Sequence, residues 1–197
     1  MKAILASRKT QTRRICPVQP VFVEGLWQVL YPWGEGGHGI YETETAMRAE
    51  YDRLMLAHCR YGRAGDRLWV RETWDAPPGT DDRREVAYRA DYERDPEGAR
   101  WRPAIHMPRW ASRITLDVLE IRVERLHDIT EEDAKAEGVK PFAYDPGGDC
   151  WTDGKHRTAF SFLWNEINGW NPNSWDSNPW VWVVSFRRVE KEIIANA

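Results

Sequence analysis

The sequence predicts an α+β fold: a curved, mostly antiparallel sheet or barrel with helices at its periphery. Three observations lead there. Residues 114–126 alternate, with Ile114, Leu116, Val118, Ile121 and Val123 set between polar neighbours. Residues 180–186 form an almost continuous apolar run, the pattern of a central strand buried on both faces. Helical stretches are short and do not alternate with strands as βαβ units would.

Taken in order, residues 1–7 are a short apolar stretch of helical character, and Pro17 and Pro20 then interrupt regular structure. Aromatics and glycines follow to the cluster Gly34-Glu35-Gly36-Gly37-His38-Gly39. No Lys-Ser/Thr follows it, so it is expected to be a hairpin tip or mobile loop, not a phosphate loop. Residues 45–58 predict a helix with Ala46, Ala49, Leu54 and Leu56 as buried positions. Gly62 to Asp66 is a turn, residues 67–74 alternate as a strand, and Pro77-Pro78-Gly79 breaks it. A short strand is expected at 86–89 and a turn at 95–98. The alternation of 114–126 slips at Leu119-Glu120, which predicts a bulge. Thr130 followed by Glu131, Glu132 and Asp133 reads as a capped helix start, and Gly138 as that helix's end. Residues 159–168 predict a second helix with Phe160, Leu163, Trp164 and Ile167 on one face.

With 197 residues the chain is long enough to bury a substantial core in a single domain. A formal net charge of -3 argues against bulk electrostatic binding of nucleic acid. Arg8, Lys9, Arg13 and Arg14 nonetheless form a local basic cluster. Cys16, Cys59 and Cys150 are odd in number and irregular in spacing, which fits free thiols in a reducing cytoplasm. Neither the cysteines nor the histidines have zinc-like spacing, so no metal is expected. No apolar run reaches membrane-spanning length. Of twelve tryptophans, most are expected in packing and one or two in a stacking wall for a planar base.

Chemistry concentrates in Ser7-Arg8-Lys9-Thr10-Gln11-Thr12-Arg13-Arg14 and in Glu137. If the first segment is extended, Thr10 and Thr12 share one side while Lys9, Gln11 and Arg13 share the other. A turn between Lys9 and Thr12 would aim both at one point. Glu137 closes its helix where a negative charge is disfavoured by roughly 0.3–1 kcal/mol, which points away from a purely structural role. His106-Met107-Pro108-Arg109-Trp110-Ala111-Ser112-Arg113 reads either as a structural loop with a packed Trp or as a phosphate or sugar contact by Arg109 or Arg113 near Trp110.

The run from Arg8 to Arg14, the Gly65-Asp66 turn into a strand, the Glu137-Gly138 helix end and the final strand together resemble an ASCH domain of the PUA-like superfamily. The family signature is Gly-x-Lys-x-x-Thr-x-Arg, then a Gly-Asp turn, then a glutamate after a helix. Lys9, Thr12 and Arg14 take the first motif's positions, Glu137 takes the last, and Ser7 stands in the glycine's place. The chain is similar at these points to the family's bacterial acetylcytidine amidohydrolases, and elsewhere to longer, Trp-rich ASCH proteins of phage and prophage. The resemblance spans most of the chain in islands. It implies a single ASCH/PUA-like domain over 1–197, a PUA-like curved β-barrel with insertions near 17–62 and 76–108.

The activity implied is removal of an acyl group from an acylated cytidine-type nucleoside. Lys9, Thr12 and Glu137 would be the catalytic set, and Arg14, Trp74, Arg109 and Arg113 would contact substrate. No cofactor is expected. The expected partner is a nucleoside or modified base, or RNA or DNA, with no membrane. Two alternatives stand beside it: a non-catalytic module that reads RNA, DNA or a modified base, and a ribonuclease using Lys9 and Glu137 as acid and base.

Overall fold

Runs of alternating and continuous apolar residues build one curled, four-stranded antiparallel half-barrel sheet, to which everything else attaches. This computed structural model describes residues 1–32, 37–79, 82–141, 154–169 and 172–189. In chain order the elements are α1 (Lys2–Leu5), β1 (Gln11–Ile15), β2 (Val21–Val23), β3 (Leu26–Leu30), β4 (His38–Tyr41), α2 (Glu44–Ala57), β5 (Arg67–Trp69), β6 (Trp74–Asp75), β7 (Ala87–Tyr88), β8 (Thr115–Arg125), α3 (Glu131–Ala136), α4 (His156–Asn168) and β9 (Trp180–Arg188). The main sheet runs β1-β9-β8-β5, and β2-β3-β4 form a second sheet. The core of the glycine cluster and Cys150 fall outside the described residues. Among the described residues, no helix is long and apolar enough to cross a membrane.

The slip in the long alternating run is a bulge between Val118 and Glu120 in the β8–β9 ladder. The extra residue, Leu119, is exposed. Its insertion lets Leu116 and Val118 before it, and Ile121 and Val123 after it, face the same side. On that side Trp182, Val184 and Phe186 of β9 join them, and α1, α2 and the β2-β3-β4 sheet cover them. Helix α2 buries Met47, Tyr51 and Met55, while Ala46, Ala49 and Leu56 are exposed and Leu54 is half-buried. The expected stripe is therefore wrong by rotation: two methionines and a tyrosine four residues apart offer the sheet more surface than alanines do. Trp182 Nε1 donates to the Met55 carbonyl at 3.0 Å, and the Tyr51 hydroxyl to the Val18 carbonyl at 2.6 Å. Cys16 is buried in this layer, and burial pushes its thiol up to about 12.

On the opposite side, α3 and α4 pack Leu126, Ile129, Ala134, Phe160 and Trp164 over Val181 and Val183. Ile167, expected in that stripe, is instead exposed in the last turn of α4. Thr130 caps α3 and exchanges hydrogen bonds with Asp133 as a capping box. The Glu131 carboxylate accepts the first two amides of α4, from His156 at 2.6 Å and Arg157 at 3.0 Å. That supplies the cap which Lys155 lacks.

The expected strand 67–74 is split. It leaves the sheet after Trp69, and Trp74 opens a two-stranded ribbon with Tyr88. Between them the Glu72 carboxylate turns inward, fully buried, onto Arg113. A small core of Trp74, Ala76, Val86, Tyr88, Met107 and Ala111 forms around the ribbon.

Helix α3 ends at Gly138, whose φ is +79°. A Cβ there would lie 2.8 Å from Lys9 Cβ and 2.9 Å from Ala3 Cβ. Glycine is required both for the left-handed turn and for this approach of the N-terminal segment. Gly138→Ala is expected to destabilise the protein by about 2 kcal/mol or more in urea unfolding, because both strain and overlap arise.

Candidate functional site

The site begins with a turn at Ser7, whose φ is +54°. This is a conformation that glycine accepts most readily and that serine holds here. Beyond it, residues 8–10 run along the end of α3 and satisfy its free carbonyls one by one. Thr10 N donates to Ala136 O at 2.8 Å, Lys9 Nζ to Glu137 O at 3.1 Å, and Arg8 Nη1 to Gly138 O at 3.4 Å. Two cations therefore sit at the negative end of the helix dipole. Phe186 N in turn donates to Thr10 O, which registers the segment on β9.

Lys9 Nζ lies 2.6 Å from Glu137 Oε2. The Glu137 side chain is only 3% exposed, whereas that of Lys9 is 23% exposed, so the pair meets solvent mainly along the lysine side chain. The other carboxylate oxygen, Oε1, is 3.4 Å from Arg13 Nη1. Arg13, on β1, has a side-chain exposure of 0% and holds four partners. Its Nε and Nη2 donate to Glu124 Oε1 at 3.0 and 2.6 Å, its Nη1 donates to Gln11 Oε1 at 2.8 Å, and its Nη2 lies 3.0 Å from Asp133. Arg122 closes the cluster, contacting Glu124 at 3.0 Å and Asp133 at 3.3 Å. Three cations, Lys9, Arg13 and Arg122, thus balance three carboxylates, Glu124, Asp133 and Glu137. Burial pushes the Asp133 carboxyl up, but Arg13, the Thr130 amide, Arg122 and Gln11 together outweigh it and hold it below its usual value.

A groove of about 510 Å³ flanks this end of α3. Ser7, Arg8 and Thr10 line one part of it, and Glu132, Lys135, Ala136, Gly138 and His156 line the rest. Neither Lys9 nor Glu137 lines it; their paired amine and carboxylate lie at the same end of α3. Such an arrangement can move a proton and stabilise a developing negative charge.

Lys9 and Glu137 are therefore brought together, but Thr12 is not with them. Segment 11–15 is an extended strand, with Thr12 opposite Val184 and Arg13 opposite Val183. Strand alternation places Thr12 on the face away from Arg13 and α3. Its Oγ1 is buried with no hydrogen-bond partner among the described residues. The turn that would aim Thr12 at Lys9 is replaced by the β1–β9 ladder. Arg14 is exposed and donates to the Arg13 carbonyl at 3.1 Å. Trp74 is buried, with Trp110 edge-on at 6.3 Å and Arg102 over its ring at 4.8 Å, so it offers no open stacking face. Arg113 is committed to Glu72 at 2.9 and 3.0 Å and to Asp91 at 2.7 and 2.8 Å, and lies over the Tyr88 ring. Arg109 is exposed, 5.6 Å from the Trp69 ring centroid. None of these four joins the Lys9–Glu137 pair.

Sequence reasoning missed Arg13, Glu124, Asp133 and Arg122 as members of the site. The available signal was the shared side of Lys9, Gln11 and Arg13, which in the structure is the face that meets α3. The chain matches no protein-family model, no curated protein and no solved structure.

Because Asp133 is lowered in the folded state, its contribution to stability is complete above the unfolded carboxylate value of about 3.9 and is lost as pH falls through the folded one. Asp117 and Glu131 are lowered as well, by Arg187 and by the Arg157 amide first of all, so acid sensitivity is shared. Asp133→Asn is expected to be less stable than wild type at neutral pH, with the difference shrinking below about pH 4. Urea unfolding of both proteins across this range checks it.

Proposed function

We infer that this chain is an amidohydrolase of the ASCH type on a PUA-like half-barrel, removing an acyl group from the exocyclic amine of a cytosine-type nucleoside. The observation that carries this reading is the 2.6 Å pair of Lys9 and Glu137, drawn from segments 128 residues apart and open to solvent only on the lysine side. Both residues occupy the positions of the family's catalytic lysine and glutamate.

Amide hydrolysis needs a proton acceptor for the attacking water, a positive charge for the oxyanion and a proton for the leaving amine. In this reading Glu137 takes a proton as water adds to the acyl carbonyl. The Lys9 ammonium faces the oxygen that becomes negative. As the C–N bond breaks, the proton held by Glu137 passes to the departing amine, leaving a carboxylic acid and the free base. Arg13 and the helix end keep Glu137 in one orientation throughout. Thr12, on the other face of β1, takes no part. In this reading the nucleoside takes the groove at the end of α3, which Ser7, Arg8 and Thr10 line and which Lys9 and Glu137 do not.

Acetate release from acetylcytidine and related acylated nucleosides tests the reading. Lys9→Met is expected to lower kcat/KM by about a hundredfold or more. It leaves Glu137 one remaining cation, Arg13 at 3.4 Å, and urea unfolding of the variant separates loss of activity from loss of fold. Thr12→Val is expected to retain wild-type turnover. Absence of turnover on every acylated nucleoside would refute the enzyme.

A further inference from the structure

We propose that the groove at the end of α3 is a phosphate-binding subsite, so that the ligand it takes is a phosphorylated nucleoside and not the free nucleoside. This rests on the amidohydrolase reading, which seats a nucleoside in the groove; the observation behind the phosphate is the groove's charge. Three cations line it, Arg8, Lys135 and Lys140, against one carboxylate, Glu132. All four residues are exposed. Among the described residues none of the three cations is ion-paired with a carboxylate, whereas Lys9, Arg13 and Arg122 nearby all are. The chain carries a formal net charge of -3, so the positive groove is a local feature and not the mark of a basic protein.

The neighbouring acids do not cancel this charge. Of the three in the first turn of α3, Glu131 accepts the His156 and Arg157 amides and lies 3.0 Å from His156 Nδ1, and Asp133 is held by Arg13 and Arg122. Glu132 alone is left to the groove. The carbonyls ending α3 would repel an anion, but Thr10 N, Lys9 and Arg8 cover them. The first amides of α4 are taken by Glu131, so side chains and not a helix end supply the donors. A phosphate monoester brings roughly 1.5 to 2 negative charges and three strong acceptor oxygens, which suits two ammoniums and a guanidinium. It is also the anionic group that nucleosides carry. The groove's volume of about 510 Å³ is that of a small-ligand site. Arg8 and Thr10 flank Lys9, and Ala136 and Gly138 flank Glu137, so the same two stretches of chain build the groove and the pair.

Calorimetric titration with cytidine, cytidine monophosphate and a short oligocytidine tests this without any turnover. The monophosphate is expected to bind about tenfold or more tightly than cytidine near 0.1 M salt, with the advantage shrinking near 1 M as screening lengths fall to about 3 Å. Lys135→Gln and Lys140→Gln, both at exposed positions, should each weaken the monophosphate severalfold and leave cytidine unchanged. Glu132→Gln should tighten the monophosphate alone. Arg109→Gln, outside the groove, should change neither. Equal affinity for cytidine and its monophosphate, no measurable binding of the monophosphate, or lysine variants that bind it like wild type would each overturn the subsite. An oligocytidine, with diesters in place of the monoester, that binds more tightly than the monophosphate would assign the groove to a strand and overturn it as well. Acetate release is read separately. If acetylcytidine is not hydrolysed while the binding preferences hold, the subsite stands and the enzyme falls. If acetylcytidine and its monophosphate are hydrolysed with equal kcat/KM, the enzyme stands and the subsite falls.

Discussion

The fold depends on satisfying one buried guanidinium. Arg13 is withdrawn from water completely, a step that costs several kcal/mol unless every donor finds a partner. Those partners come from three elements: Gln11 on its own strand, Glu124 on β8, and Asp133 and Glu137 on or just beyond α3. The residue therefore makes the position of α3 over the sheet a condition for its own burial. Such a cluster adds less net stability than apolar packing of the same volume would, but it tolerates few alternative arrangements of strand and helix.

That constraint also builds the candidate site. With α3 held, its C-terminal carbonyls are fixed in front of residues 8–10, and Lys9 is drawn to the Glu137 carboxylate and carbonyl together. Gly138 removes the steric obstacle to the approach, and the turn at Ser7 sets its direction. An acidic residue that dipole considerations disfavour at a helix end is thereby compensated by two cations. Glu72, Arg113 and Asp91 repeat the device on a smaller scale, where a buried carboxylate turns the chain out of the main sheet.

Much of this architecture was readable in the sequence where the signal was local. The strand at 114–125 and even its bulge followed from the phase slip at Leu119, and α3 from Thr130, its acids and Gly138. Faces were harder. The buried stripe of α2 was misplaced because alanines were counted as equal to Met47, Tyr51 and Met55. Of the site, Lys9 and Glu137 were identified by motif and do meet. Thr12 was grouped with them by the motif and a turn that would aim it at Lys9, whereas the segment is extended and alternation sends it to the other face. Arg13 was passed over because its role depends on Glu124 and Asp133, more than a hundred residues away, and no local pattern reports such a contact.

The most direct test of the central role of Arg13 is a double-mutant cycle between the sheet and the helix, using Arg13→Met, Asp133→Asn and the pair, each measured by urea unfolding. A cluster acting as one unit predicts a coupling energy of about 1 kcal/mol or more, because either single substitution already disrupts what the other would remove. Additivity within about 0.5 kcal/mol would mean that Arg13 and Asp133 contribute independently, and would contradict the account.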